Sequence, residues 1–168
     1  MATKYHNLSD YDANAVPDAK GMRIGIVVSE WNMNVTARLL QGATSTLIKL
    51  GVNEDDILVR SVPGSFELVY GARCLMDLPG DGLDAVIVLG CVVRGETPHF
   101  DYVCSGVTQG VADMNVLGRM PVIFGLLTND TMQQSFDRAG GIHGNKGDES
   151  AVTAVKMVAF KRSLVLID

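Results

Sequence analysis

Ala85-Val86-Ile87-Val88-Leu89-Gly90-Cys91-Val92-Val93-Arg94-Gly95-Glu96-Thr97-Pro98-His99-Phe100-Asp101-Tyr102 reads as a strand running into a helix. The unbroken apolar run Ala85 to Leu89 has the character of a strand buried on both faces. The segment from about Asp101 to Leu117 is long enough for a helix. Gly90, Gly95, Glu96, Thr97 and His99 therefore fall where a strand ends and a helix begins. In an open α/β sheet ligands bind at that edge, because N–H groups at a helix start and the helix dipole favour an anion. A histidine in the same place titrates near neutral pH and can move protons.

Outward from this segment the same alternation repeats. Met22 to Ser29 is rich in Ile and Val and makes a first strand. Val35, Leu39, Ala43, Leu47 and Leu50 recur at helical spacing, with Gly51 to end the helix. Ile57 to Val62 is a second strand, and a helix from Ser65 to Met76 follows the Pro63-Gly64 turn. The strand Asp84 to Val92 and its helix come next, then a strand Val122 to Leu127 and a short helix from about Thr131 to Arg138. A glycine-rich turn leads into a last helix from about Asp148 to Lys161. This order predicts the α/β class: a parallel sheet with helices on both faces, as a flavodoxin-like three-layer α/β/α sandwich. Residues 1–20 lack periodicity and read as a polar N-terminal arm before a single domain spanning 21–168.

With 168 residues, the chain suits one domain that buries about 70% of its unfolded surface. Apolar residues make up 47% and charged residues 20%, a balance that excludes disorder. A net charge of −5 without a basic cluster argues against nucleic acid. Cys74, Cys91 and Cys104 have no CxxC spacing and leave an odd one over, which points to a reduced, cytoplasmic setting. The polar N-terminus has no apolar core of a secretion signal, and no window of 18 apolar residues suggests a membrane span. His6, His99 and His143 are scattered, so no metal ligand set is expected. No Gly-x-Gly-x-x-Gly follows the first strand, which speaks against a dinucleotide.

Several residues have a functional and a plain reading side by side. His99 is either an acid/base group or a surface residue at a helix start. Thr97 and Glu96 either offer N–H groups to an anion or merely cap a helix. Arg138 suits a phosphate, or simply the last turn of a helix. Lys146 adds a second cation or is an ordinary surface lysine. Trp31, Phe66 and Phe124 are expected at or near the carboxyl ends of strands, where an aromatic face can stack on a planar heterocycle or fill core. Ser65 and Glu67 open a helix after Pro63-Gly64.

Four blocks in register resemble the lumazine synthase family of riboflavin biosynthesis. They are Trp31-Asn32, Val62 to Leu68, Gly90 to Tyr102, and Pro121 to Gly125 continuing through Arg138-Ala139-Gly140 and Gly144-Asn145-Lys146-Gly147. The likeness runs from about Met22 to Phe160. It implies four core strands and a transferase that condenses 5-amino-6-(D-ribitylamino)uracil with 3,4-dihydroxy-2-butanone 4-phosphate, with no cofactor and no metal. It implies proton transfer by His99 and a phosphate held at Glu96 and Thr97. Arg138 and Phe124 would come from a neighbouring subunit, with Lys146 a further candidate. Trp31 would stack on the pyrimidine, where the family commonly has phenylalanine. The main chain of Cys91, Val92 and Val93 would bind the pyrimidine edge, with further contacts from the Ser65-Phe66 turn, and Glu67 would hold ribityl hydroxyls. The same likeness implies a homopentamer, and the uninterrupted turn Gly140 to Gly147 favours a sixty-subunit icosahedral shell. Ile142 and His143 replace the usual lysine-alanine there. The rival readings are an archaeal-type riboflavin synthase and a non-catalytic lumazine or flavin carrier or shell.

Overall fold

The structure is a computed structural model and describes residues 7–79 and 82–164. Four parallel strands form its sheet: β1 (Ile24–Ser29), β2 (Ile57–Val62), β3 (Ala85–Val93) and β4 (Val122–Asn129), in the order β2-β1-β3-β4. Among the described residues five α-helices accompany them: α1 (Met33–Lys49), α2 (Leu68–Met76), α3 (His99–Val116), α4 (Met132–Asp137) and α5 (Lys146–Leu164). This is the three-layer α/β/α sandwich of flavodoxin-like type.

Strand alternation divides the core in two. Ile24, Ile26 and Val28 of β1, with Ile87, Leu89 and Cys91 of β3, pack against Leu39, Ala43 and Leu47 of α1 and Ala151 and Val155 of α5. Val27, Val86 and Val88 point the other way, onto Leu68 and Ala72 of α2 and Val107 and Val111 of α3. All six residues of β1 are buried, which is why the central strands read as continuous apolar runs.

The elements differ from the sequence expectation mostly at their ends. Helix α2 starts at Leu68, not Ser65, so Ser65 and Phe66 remain in the turn. Helix α3 starts at His99, two residues earlier than expected. The glycine-rich turn is an antiparallel hairpin of β5 (Ala139–Gly141) and β6 (Gly144–Asn145). Helix α5 begins at Lys146, where Asn145 Oδ1 accepts the Gly147 N–H at 2.8 Å. Two-residue strands are too short to show a period, and a side-chain cap carried by asparagine adds no periodic signal.

The described part of the polar arm lies on the domain. Leu8, Val16 and Ala19 are buried, and the last two join the core facing α1 and α5. The Leu8 N–H donates to the His143 carbonyl, and the Asn145 N–H donates to Ser9 Oγ, each at 2.8 Å.

Candidate active site

The strand order reverses between β1 and β3, the place where open α/β sheets open a crevice at their carboxyl edge. A cleft of about 740 Å³ lies there, a size suited to small organic ligands. The turn after β1 supplies Trp31 and Asn32, the turn after β2 supplies Pro63 to Glu67, and β3 supplies Cys91, Val92 and Val93. Gly95, Thr97 and His99 close the opposite side.

Asn32 sets the first corner. Its backbone is left-handed, with φ 61°, a conformation asparagine tolerates better than most residues. Its Nδ2 donates to the Cys91 carbonyl at 2.9 Å. The Trp31 N–H donates to the Pro63 carbonyl at 3.1 Å. The corner after β1 is thus tied to the ends of both neighbouring strands. Trp31 is 74% exposed and Phe66 58% exposed, so both are free aromatic faces at the cleft rather than core. Ser65 is buried in the same turn, while Glu67 is exposed and precedes α2.

Cys91 lines the cleft, and its side chain bonds to Ser135 of α4. Its Sγ–H donates to Ser135 Oγ at 3.3 Å, and Asn129 Nδ2 donates to the same oxygen at 3.0 Å. Burial pushes the thiol pKa up, with the Ser135 hydrogen bond acting in the other direction. A buried thiol held in its protonated form is a poor nucleophile.

The loop Arg94 to Pro98, where the sequence places an anion, runs from the end of β3 to the start of α3. Gly95 and Thr97 line the cleft, whereas Glu96 is exposed and does not. The N-cap of α3 is Pro98, and no side chain caps the helix. Thr97 is therefore not its N-cap, and the positive end of an 18-residue helix opens toward the cleft beside His99.

Two basic residues named from sequence lie elsewhere. Phe124 and Lys146 line a separate groove of about 300 Å³ along the open edge of β4, between α3 and α5. Lys146 Nζ is 2.6 Å from Glu149 Oε1. Arg138 follows α4, and its guanidinium donates to the Gln134 carbonyl at 3.0 Å. Its carbonyl accepts the Lys146 N–H at 2.8 Å, which joins the two cations through the backbone. The residues lining the larger cleft include no lysine or arginine.

Sequence reasoning gave no role to the side chains of Asn32 and Arg94. An asparagine in the short turn between a strand and a helix was the available signal for a left-handed corner. Arg94 pairs with Asp101 and Asp130, and nothing in the sequence links position 130 to position 94. Among the described residues no group of three His, Cys, Asp or Glu side chains could hold a metal. None of the described helices is long and apolar enough to cross a membrane.

An aromatic-walled cleft with a helix start and a histidine at the switch point defines the class: an α/β protein with a cleft suited to a planar heterocycle and an anion. The comparisons sharpen this. The family model for 6,7-dimethyl-8-ribityllumazine synthase matches residues 21–162. Relatives carrying that name include one from Parabacteroides distasonis, 66% identical over 160 residues, covering 95% of this chain and 99% of its own length. One from Phocaeicola vulgatus is 62% identical over 98% of this chain and 96% of its own length. A third, from Cytophaga hutchinsonii, is 48% identical over 95% of this chain and 98% of its own. The chain belongs to the 6,7-dimethyl-8-ribityllumazine synthase family.

Proposed function

We infer that this protein makes 6,7-dimethyl-8-ribityllumazine by condensing 5-amino-6-(D-ribitylamino)uracil with 3,4-dihydroxy-2-butanone 4-phosphate, releasing phosphate and water. The observation that carries the reading is the cleft itself: free aromatic faces at Trp31 and Phe66, and a helix start with His99 opposite. Family membership supplies the identity of the substrates.

The pyrimidine lies on Trp31 with its edge against the main chain of Cys91 to Val93 and of Ser65 and Phe66. The ribityl chain reaches Glu67. The phosphate sits at the Glu96-Thr97 amides, where the α3 dipole favours an anion. The substrate amine attacks the butanone carbonyl, and water leaves to give an imine. Loss of the C3 proton and of phosphate from C4 leaves an enol that tautomerises to a ketone, and attack of the ribityl-bearing nitrogen on that new carbonyl closes the ring with loss of a second water. His99 carries protons among these steps, a contribution typically worth about 10²–10⁴ in rate. Holding two flexible substrates in register supplies much of the rest.

The cleft has no cation of its own, while Arg138, Lys146 and Phe124 lie outside it. This supports a site completed by a second copy of the chain, whose Arg138 clamps the phosphate with Lys146 nearby. We place the chain in a homopentamer, twelve of which form a sixty-subunit shell, in the cytoplasm, where its cysteines stay reduced. Val116, Leu117 and Ile142 are each more than three-quarters exposed, apolar surface that such contacts would cover. Arg138→Ala should raise KM for the butanone phosphate, and His99→Ala should lower kcat. Normal kinetics in both variants would contradict the assignment. Sedimentation velocity should show about 1.1 MDa for a closed shell of 18.0 kDa chains. A boundary near 18 kDa would contradict the shared site.

A further inference from the structure

Arg94 stands between the end of β3 and Gly95. Its Nε donates to Asp130 Oδ1 at 2.9 Å, and its two terminal nitrogens donate to Asp101 at 3.1 and 3.4 Å. The guanidinium lies over the Phe100 ring, 4.1 Å from its centroid. Both carboxylates raise the arginine's pKa further above its usual range. Asp101 is in the first turn of α3, two residues beyond His99, and Asp130 directly follows β4. Arg94, Asp101 and Asp130 are 45%, 59% and 67% exposed, so these pairs add little to stability.

Their placement has a clearer consequence for an anionic ligand. Asp101 and Asp130 flank the loop that the reading above gives to the phosphate, and Glu96 adds another negative charge on the loop itself. Uncancelled, these charges would repel a phosphate dianion from the start of α3. Arg94 engages a carboxylate at each face of its fork, so it is committed within the chain and is not offered to ligand. The Phe100 ring, which lines the cleft, fixes the plane of that fork.

We propose that Arg94 is a positioning residue of the phosphate subsite that acts by offsetting part of the negative charge of Asp101 and Asp130, without itself touching the phosphate. The proposal rests on the site reading above. It gives the two anion-related arginines separate tasks: Arg138 binds the phosphate, and Arg94 keeps the loop able to receive it.

The test is steady-state kinetics of the assembled protein with each substrate varied in turn. Arg94→Met should raise KM for the butanone phosphate about tenfold and leave KM for the ribitylaminouracil within about twofold. Adding Asp101→Asn to Arg94→Met should recover most of that loss, because the second change removes a repelling charge without restoring either ion pair. Equal increases in both KM values, or a double variant as poor as Arg94→Met, would overturn the proposal. If Arg94→Met does not assemble, Arg94→Lys decides, since it keeps the charge and loses the fork. It should hold the phosphate KM within about threefold, and a loss as large as that of Arg138→Ala would overturn the proposal. Arg138→Ala is the control. If it leaves the phosphate KM unchanged, the subsite reading fails; if it raises KM while Arg94→Met does not, the Arg94 proposal alone fails.

Discussion

Gly147→Ala should destabilise the protein even though alanine is the better helix former. A Cβ at position 147 would lie 2.0 Å from the Leu39 carbonyl oxygen and 2.9 Å from the Ala43 nitrogen. Both atoms are backbone of α1, so no side-chain rotation relieves the clash. Ordinary contact needs at least 3.4 Å, and α1 and α5 must therefore part by about 1.4 Å. A gap of that order forfeits more than about half of the dispersion energy where Leu39 and Ala43 meet α5. Overpacking of this kind costs about 1–3 kcal/mol, with rigid backbone on both sides placing it high in the range or above. Helix propensity returns at most about 1 kcal/mol. The net loss is about 2–3 kcal/mol, or about 4–12 °C in the unfolding midpoint for a chain of this size. Gly106→Ala is the contrast, since its Cβ would meet the end of the exposed Phe66 ring at 2.7 Å, and that ring can swing away. Thermal unfolding at one fixed subunit concentration measures both. A Gly147→Ala midpoint at or above wild type would refute the close-packing argument. Because Lys146 precedes Gly147, the same variant should also raise KM for the butanone phosphate.

Three further outcomes follow from the site. Trp31→Ala should raise KM for the ribitylaminouracil about tenfold, with thermal stability unchanged because the ring is exposed, and Trp31→Phe should restore most of the affinity; kinetics and unfolding on the same preparations check this. Cys91 should resist alkylation by iodoacetamide at pH 8 in the folded protein, whereas exposed Cys74 reacts, as mass spectrometry of the labelled peptides would record. The raised Cys91 pKa means the fold keeps a proton that the unfolded thiol loses above about pH 8.5. Stability should therefore fall as pH rises past that point, and Cys91→Ser should flatten part of the slope in denaturant titrations.

Much of the architecture was legible because burial on both faces leaves a direct trace in composition. The strands containing Ile24 to Val28 and Ala85 to Leu89 are unbroken apolar runs, and α1 shows its buried stripe from Val35 to Leu47. What did not show was structure decided by single side-chain hydrogen bonds: Asn145 starting α5, or Asn32 holding the corner after β1. Arm residues Leu8, Val16 and Ala19 are buried without any periodic pattern, since an irregular segment can place isolated apolar residues on a core. At the site, the sequence brought Trp31, Ser65, Phe66, Glu67, Cys91 to Val93, Thr97 and His99 to one edge, and all of them line one cleft. Phe124 and Lys146 fall in another groove, a separation that no order of residues along one chain can express. The Arg94 network joins the ends of two strands 36 positions apart, and only the sheet order makes them neighbours.

Enzyme-dependent synthesis of the lumazine is the most direct test of the central claim. Purified, assembled protein is mixed with 5-amino-6-(D-ribitylamino)uracil and 3,4-dihydroxy-2-butanone 4-phosphate, and lumazine absorbance and free phosphate are followed against the uncatalysed reaction. The lumazine spectrum should grow faster than in the uncatalysed reaction, with one phosphate released per product. Tight binding of the heterocycle by a correctly assembled oligomer, with no acceleration over the uncatalysed rate, would contradict it.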